Sequence, residues 1–382
     1  MLKVHLVAGA RPNFVKVAPL HAALAAQAWC RPVLVHTGQH YDDRMAGRFL
    51  RELGLPEPDL RLHAGSGSHG RQTAAVMVAY EAACLEDRPD WVVVVGDVNS
   101  TLAAALTAKK LQLPVAHLEA GLRSRDRTMP EELNRVMTDA IADLLWTPSP
   151  DATENLIAEG IPLERIEHVG NIMIDALEMM RPLIAAVDVA AIVGDAGSDY
   201  GLITLHRPPN VDDAARLAAI VDAMILCSRE LPLVFPVHPR TQARLAAFGL
   251  FDSLERCAAI RLTPPLGYLE FMRLLTRASL VITDSGGIQE ETTYLGIPCL
   301  TLRPNTERPI TIVRGTNRLV TPETLAPAVA AARGRGPGSG CARPALWDGR
   351  TAARVVASLQ RFALPVSRDP GIGRAVAKGT AV

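Results

Sequence analysis

The segment VITDSGGIQEET (281–292), followed by RPNTERP (303–309), combines a short apolar run, an acid, a serine and two glycines with a helical pattern behind them. A strand that ends there and a helix that starts there leave unpaired backbone N–H groups and the positive end of a helix dipole facing one spot. Such a spot attracts phosphate. Ser285, Gly286 and Gly287 allow close approach, Glu290 and Glu291 lie where carboxylates can accept ribose hydroxyl protons, and Arg308 adds a fixed cation. The chemistry these types suggest is capture of a nucleotide-sugar.

Other reactive side chains also follow apolar runs. Arg11 and Lys16 lie behind the first one, as cations suited to a diphosphate or a leaving group, although either could be a solvated surface charge. Asp97 ends a four-valine run and could equally cap the next helix. Glu119 closes PVAHLEA, where loss of water would raise its pKa toward general-base use, unless it is paired with Arg123 or Arg125. Glu131 opens MPEELNR after Pro130, and a carboxylate there also complements the helix dipole. In that helix Leu133, Val136, Met137, Ala140, Ile141 and Leu144 form the expected buried stripe, with Glu131, Asn134 and Arg135 on another face. His206 and His238 each follow a strand, where hydrogen-bonded structural histidines are common. No histidine pair has metal-ligand spacing.

The elements that must hold these residues alternate between strand-like and helix-like runs. VHLVAG, PVLVHTG, WVVVVGD, PVAHLEA and LLWTPS come first, then GLITLH, LVFPVHP, AIRLTPP, LVITDSGG and PCLTLRP after a vague Ala-rich stretch. That order predicts two α/β units with parallel sheets, and ligands then sit beyond the carboxyl ends of the strands, in a cleft between the units. The expected division is 1–180, joined by a helix at about 347–365, then 181–346, with 366–382 as a loose tail. GSGSHG (65–70) matches a dinucleotide fingerprint, but it comes after two earlier strand–helix units and reads as a loop.

Composition narrows the partners. With 40 basic and 40 acidic residues among 382, nothing draws the chain to nucleic acid or anionic membrane, and no apolar run approaches the ~20 residues of a membrane span. Six scattered cysteines without a CxxC pair suggest reduced thiols in a cytoplasmic protein.

The segments GARPNFVK, TGQH, GDVNST, HLEAGLRS, MPEELNR, HVGN, LHRPPNVDD, HPR, PLGYLEF, TDSGGIQEE and NTERP occur in one order from about residue 3 to 361. In that order they resemble the non-hydrolysing UDP-N-acetylglucosamine 2-epimerases. The resemblance implies the GT-B architecture, two Rossmann-like domains around a cleft, with the second domain binding UDP. It implies that Phe271 holds the uracil, Glu291 the ribose, and Arg11, His206, Ser285, Gly286, Gly287 and Arg308 the diphosphate. Asp97, Glu119, Glu131 and His206 match the catalytic set, while Lys16, His238 and Glu307 are expected to line the cleft. Family chemistry breaks the anomeric bond to UDP, removes the carbon 2 proton to give 2-acetamidoglucal, and re-adds UDP, with no cofactor or metal. A homodimer is implied, and Gln39 and His40 match a region that contacts an activating second UDP-sugar. Asn13 and Pro209 stand where the common family form has glutamates, so two carboxylates near the expected cleft are absent, which leaves the substrate open between UDP-N-acetylglucosamine and a diacetamido uronic acid. Competing readings are a hydrolysing relative, a GT-B glycosyltransferase and a sensor without turnover.

Overall fold

The computed structural model describes residues 1–38, 49–194, 197, 199–333 and 343–364. Its first sheet is built from β1 (Leu2–Ala8), β2 (Cys30–His36), β3 (Leu60–Arg61), β4 (Trp91–Val95), β5 (Val115–Leu118), β6 (Leu144–Thr147) and β7 (Ile166–His168). All are parallel, in the order β3-β2-β1-β4-β5-β6-β7. Every residue of WVVVV is buried, as expected of a strand covered by helices on both faces. The crossovers include α1 (Arg11–Ala25), α2 (His69–Glu86), α3 (Asn99–Lys110), α4 (Pro130–Ile141) and α5 (Pro150–Ala158).

After α6 (Ile172–Ala186) the pattern repeats. β8 (Gly201–Thr204), β9 (Leu233–Pro236), β10 (Ile260–Thr263), β11 (Leu280–Thr283), β12 (Cys299–Thr301) and β13 (Asn317–Leu319) form a second parallel sheet in the order β10-β9-β8-β11-β12-β13. Its helices include α7 (Ala214–Cys227), α8 (Pro239–Ala247), α9 (Tyr268–Leu275), α10 (Gly286–Leu295) and α11 (Pro322–Arg333). Each sheet reverses its winding direction once, at β1/β4 and at β8/β11, and ligands of such sheets bind at that point. The two switch points share one cavity. This is the GT-B architecture. β3, β7 and β13 have only two or three residues each, too few for a periodic signal.

The last described helix, α12 (Thr351–Ala363), packs on α1 and α6 of the first unit. Trp146 donates its indole N–H to Ser358 at 2.8 Å, and the buried Asp175 carboxylate accepts from the backbone N–H groups of Thr351 and Ala352. Loop 62–68 leads into α2 from the two-residue edge strand β3, so the glycine-rich segment does not follow a switch-point strand, although His69 within it meets Asn99 at the start of α3 at 3.0 Å. Gln39, His40 and the tail from 365 onward lie outside the described residues.

Helix α4 corrects the expected burial. It does start at Pro130, but Leu133 is 39 % and Met137 44 % exposed, whereas Asn134, Arg135, Thr138 and Asp139 are buried. The polar stripe faces inward because it has partners there: Asp97, Asn99, His117 and Arg123 all bond to it. A satisfied buried polar network can outweigh apolar periodicity.

Candidate active site in the cleft

The cavity between the sheets measures about 700 Å³. Its walls include Arg11, Lys16, Asp97, Glu131, His206, Phe271, Ser285, Gly286, Gly287, Glu291, Glu307 and Arg308, so the first and second halves of the chain both contribute. Glu119 stands directly behind this surface, bonded to Lys16 and Arg308. His238 does not line it. That ring sits 5.6 Å from the His206 ring, and its Nδ1 accepts from the N–H of Arg240 at the start of α8.

On the second sheet, β11 delivers Asp284 and Ser285 to the cavity edge and α10 begins at once. The first N–H groups of a helix have no intrahelical partner, so the start of α10 presents donors there. A Cβ at Gly286 would lie 2.6 Å from Glu307 Oε1 and 2.7 Å from Arg308 Nη1, so only glycine lets these side chains pass beside the helix start. Asp284 is fully buried and serves the neighbouring strand end. Its oxygens accept from the N–H of Arg207 at 2.9 Å, from Asn210 at 3.2 Å, and face His206 Nδ1 at 3.0 Å. Burial alone would raise the Asp284 pKa, but His206 and these donors hold it below the usual carboxylate range. His206 is thereby oriented through Nδ1, and Nε2 is the ring nitrogen that Asp284 does not engage.

Arg308 is the hub. It meets Glu290 at 2.8 Å through Nε, Glu119 at 2.8 Å through Nη2, and Glu307 through Nη1. Glu307 also meets Arg303 at 2.8 Å, and although burial opposes its charge, Arg308 and Arg303 pull its pKa far down. Glu290 is further bound by Asn171 at 2.9 Å. Glu290 therefore belongs to the ion-pair cluster, and of the two adjacent acids Glu291 is the one left for a ribose. Glu291 is buried beside Glu290, and burial followed by that like charge pushes its pKa up to about 8.

On the first sheet, three carboxylates reach the cavity region from three elements. Asp97 follows β4, but it is not a cap: Val98 occupies the N-cap position of α3, and the Asp97 carboxylate pairs with Arg135 of α4. Glu131 lies in the first turn of α4 on the cavity wall. Glu119 follows β5 in the left-handed region at φ 77°, a conformation costing a non-glycine residue about 1 kcal/mol or more. It is held there by its own N–H and that of Ala120, both donating to the Trp146 carbonyl.

The Glu119 expectation is overturned in part. Burial does raise its pKa, but Lys16 and Arg308 outweigh burial and leave it below the usual carboxylate range. Neither Arg123 nor Arg125 is its partner. Arg123 pairs with Asp139 at 2.7 Å and with Glu159 at 2.6 Å. Asn13 does not line the cavity. Its side chain accepts from the N–H of Ala10 at 3.0 Å and donates to the Val95 carbonyl at 2.9 Å, bracing the turn after β1.

Arg207, beside His206, and Tyr268, which shares PLGYLEF with Phe271, also stand on the cavity wall, while sequence reasoning assigned no role to Asn171 or Arg303 in the ion-pair cluster. Asn171 meets Glu290 across 119 residues of chain, which no local motif reveals, whereas Arg303 pairs with Glu307 four residues on, inside RPNTERP.

Comparison with known proteins agrees with this geometry. The family profile described as UDP-N-acetylglucosamine 2-epimerase matches residues 22–360. The UDP-N-acetylglucosamine 2-epimerase of Methanocaldococcus jannaschii is 44 % identical over 326 residues, covering 84 % of this chain and 88 % of that protein. A UDP-2,3-diacetamido-2,3-dideoxy-D-glucuronate 2-epimerase of Pseudomonas aeruginosa is 41 % identical over 323 residues, with the same coverage. The crystal structure of the M. jannaschii enzyme in complex with UDP-GlcNAc and UDP superposes with a TM-score of 0.86 at 42 % identity, covering 94 % of this chain and all of that one. The Neisseria meningitidis UDP-GlcNAc 2-epimerase bound to UDP-GlcNAc gives 0.84 at 27 %, with the same coverage. With a family profile spanning most of its length and the same two-sheet cleft, this chain belongs to the UDP-N-acetylglucosamine 2-epimerase family.

Proposed function

We propose that this chain epimerises carbon 2 of a UDP-sugar, interconverting UDP-N-acetylglucosamine and UDP-N-acetylmannosamine. The observation that carries this reading is the division of labour across the cavity. Carboxylates Asp97, Glu119 and Glu131 come from the first sheet, and the start of α10 with Arg308 and His206 comes from the second. A sugar held by its diphosphate against the second wall meets the carboxylates of the first.

The carbon 2 proton is not acidic in the ground state, since the neighbouring acetamido nitrogen does not stabilise a carbanion. Breaking the anomeric C–O bond first makes it so. The electron pair of that bond leaves with UDP, whose charge Arg308, Arg11, His206 and the Gly286–Gly287 backbone stabilise. A carboxylate then takes the carbon 2 proton and the C–H pair forms the double bond of 2-acetamidoglucal. Protonation of carbon 2 on the other face, with return of UDP to the anomeric carbon, completes the inversion. Every atom and charge is conserved, and no redox step occurs. Phe271 and Tyr268 frame the base end of the cavity and Glu291 accepts from the ribose. In this reading 181–346 is the nucleotide domain, and 1–180 with α12 is the catalytic one.

One observation favours a second substrate. Arg207 lines the cavity and meets Glu307 only at 4.0 Å, so its guanidinium can serve a carboxylate on a uronic acid sugar. Offering both UDP-sugars and separating the products by anion-exchange chromatography decides between them; no epimer from either would sink the proposal.

A homodimer fits the outward apolar side chains of α2 and α4. Val78 and Leu85 are 70 % and 68 % exposed, and α3 packs against both helices, so these patches share one side of the first sheet with Leu133 and Met137. Burying them against a second copy removes apolar area from water. Light scattering at the monomer mass would refute this. No described helix is long and apolar enough to cross a membrane. We place the protein in the cytoplasm, where UDP-sugars are made and buried thiols such as Cys30 and Cys84 stay reduced; recovery with the membrane or periplasmic fraction would refute that placement.

A further inference from the structure

The inward polar face of α4 reaches both strand ends that carry carboxylates. Asn134 donates to the Asp97 carbonyl at 2.9 Å, and Arg135 pairs with the Asp97 side chain while Glu132 holds it at 2.7 Å. One turn further along, Asp139 is fully buried and fully used. It faces His117 Nδ1 at 2.6 Å through Oδ1, and through Oδ2 it meets Arg123 at 2.7 Å and the N–H of Gly121 at 3.0 Å. The other ring nitrogen of His117, itself buried, lies 2.9 Å from the carbonyl of Gly96.

Gly96 is the joint between the two carboxylates. It precedes Asp97, adopts φ +68°, and donates its N–H to the Leu118 carbonyl next to Glu119. A Cβ there would fall 3.1 Å from Lys16 Nζ and 3.2 Å from Glu119 Oε2. The Gly96 backbone thus faces the Lys16–Glu119 pair with no room for a side chain between them, and the next residue is Asp97. Neither His117 nor Asp139 lines the cavity, so neither can touch the sugar. The pair has the form of a catalytic His–Asp couple, but its outer nitrogen is spent on a backbone carbonyl, which leaves it no proton to exchange with substrate.

We infer that the buried His117–Asp139 pair is a positioning device that sets the placement of Asp97 relative to Glu119 through the Gly96 carbonyl, and so sets the rate of proton transfer at carbon 2. The inference rests on the epimerase reading above. Proton transfer needs the carboxylate within hydrogen-bond reach of its target, and a shift of about 1 Å in a reacting group can cost on the order of 100-fold in rate. Binding of the diphosphate, by contrast, is assigned to α10, Arg308 and His206 on the second sheet and to Arg11 on the first, and the bonds of this pair go to none of them.

The test compares wild type with Asp139→Asn and His117→Gln, using Glu159→Gln as a control that loosens only the exposed outer end of the Arg123 bridge. Turnover of UDP-N-acetylglucosamine, UDP affinity by calorimetry, and the isotope effect with substrate deuterated at carbon 2 are read for each. The expected result is a fall in kcat of about 10- to 100-fold in both variants, with KM and UDP affinity within about threefold and a larger isotope effect, because proton transfer has become the slow step. Glu159→Gln should match wild type. A purely structural pair would lower the melting temperature and the active fraction without changing the isotope effect, and that outcome overturns the inference, as does unchanged kcat in either variant. If Asp139→Asn does not fold, His117→Gln carries the same comparison. Absence of turnover by wild type itself would count against the epimerase reading and not against this one alone.

Discussion

Arg308 and Glu119 meet at 2.8 Å across the cleft, although 189 residues of chain separate them. The contact ties the second sheet's side of the cavity to the first and engages the cation proposed to receive the diphosphate. On the proposed reading, substrate competes with Glu119 for Arg308. On that reading, as phosphate oxygens take over the guanidinium, Glu119 loses part of the positive charge that keeps its pKa low and becomes a better base.

Glu119→Gln is therefore expected to separate binding from turnover. Removing the competing charge should leave UDP bound as tightly as in wild type or up to about tenfold tighter, while kcat falls by about 100-fold or more. Lys16 would lose its buried partner, so the ligand-free variant should melt lower and regain stability with UDP. Calorimetry, thermal melts and turnover read the three effects together. Weaker UDP binding in this variant would show that Glu119 does not compete with the diphosphate.

Glu291 makes stability depend on pH in a defined direction. Its pKa is about 8 in the folded protein, against about 4.3 for a glutamate in an unfolded chain. Between those values the folded protein holds a proton that the unfolded chain does not, so this group's favourable contribution is complete below about pH 4.3 and is lost progressively as pH rises to about 8. Between pH 6 and 8 the melting temperature of wild type should fall more steeply than that of Glu291→Gln. Parallel melting curves for the two proteins would contradict the assignment.

Gly286 and Gly287 should respond differently to the same change. A Cβ at Gly286 meets Glu307 and Arg308 at under 3 Å, whereas one at Gly287 meets nothing within 4 Å. Gly286→Ala is expected to displace the Arg308 guanidinium and weaken UDP binding by about tenfold, roughly the loss of one charge-assisted hydrogen bond. Gly287→Ala should keep the wild-type melting temperature. Equal UDP affinity in wild type and Gly286→Ala would show that the close approach at this glycine is not needed.

The parts of the site that could be read from sequence were those in which one strand end carries the whole signal. LVITDSGG places Ser285, Gly286 and Gly287 correctly because strand, turn and helix start are contiguous. The alternation of strands and helices likewise shows two parallel units, since each run has its own local periodicity. What could not be read depends on partners distant in the chain. The stripe of α4 is apolar at Leu133 and Met137, yet the polar side is the buried one, because the ends of β4 and β5 offer Asp97, through its carboxylate and its carbonyl, and His117 to receive it. The sign of the Glu119 shift fails for the same reason: strand context shows the burial, and only the fold shows that Lys16 and Arg308 converge on it. Glu290 and Glu291 are adjacent, but Arg308 and Asn171 claim the first and leave the second protonated near neutral pH.

The most direct measurement follows the purified protein with UDP-N-acetylglucosamine in deuterated water by proton NMR. Epimerisation through loss of the carbon 2 proton predicts the appearance of UDP-N-acetylmannosamine carrying deuterium at carbon 2, with UDP still attached, and loss of the same proton signal from the remaining substrate. Epimer formed with the original proton retained, or free sugar and UDP in place of the epimer, would contradict it.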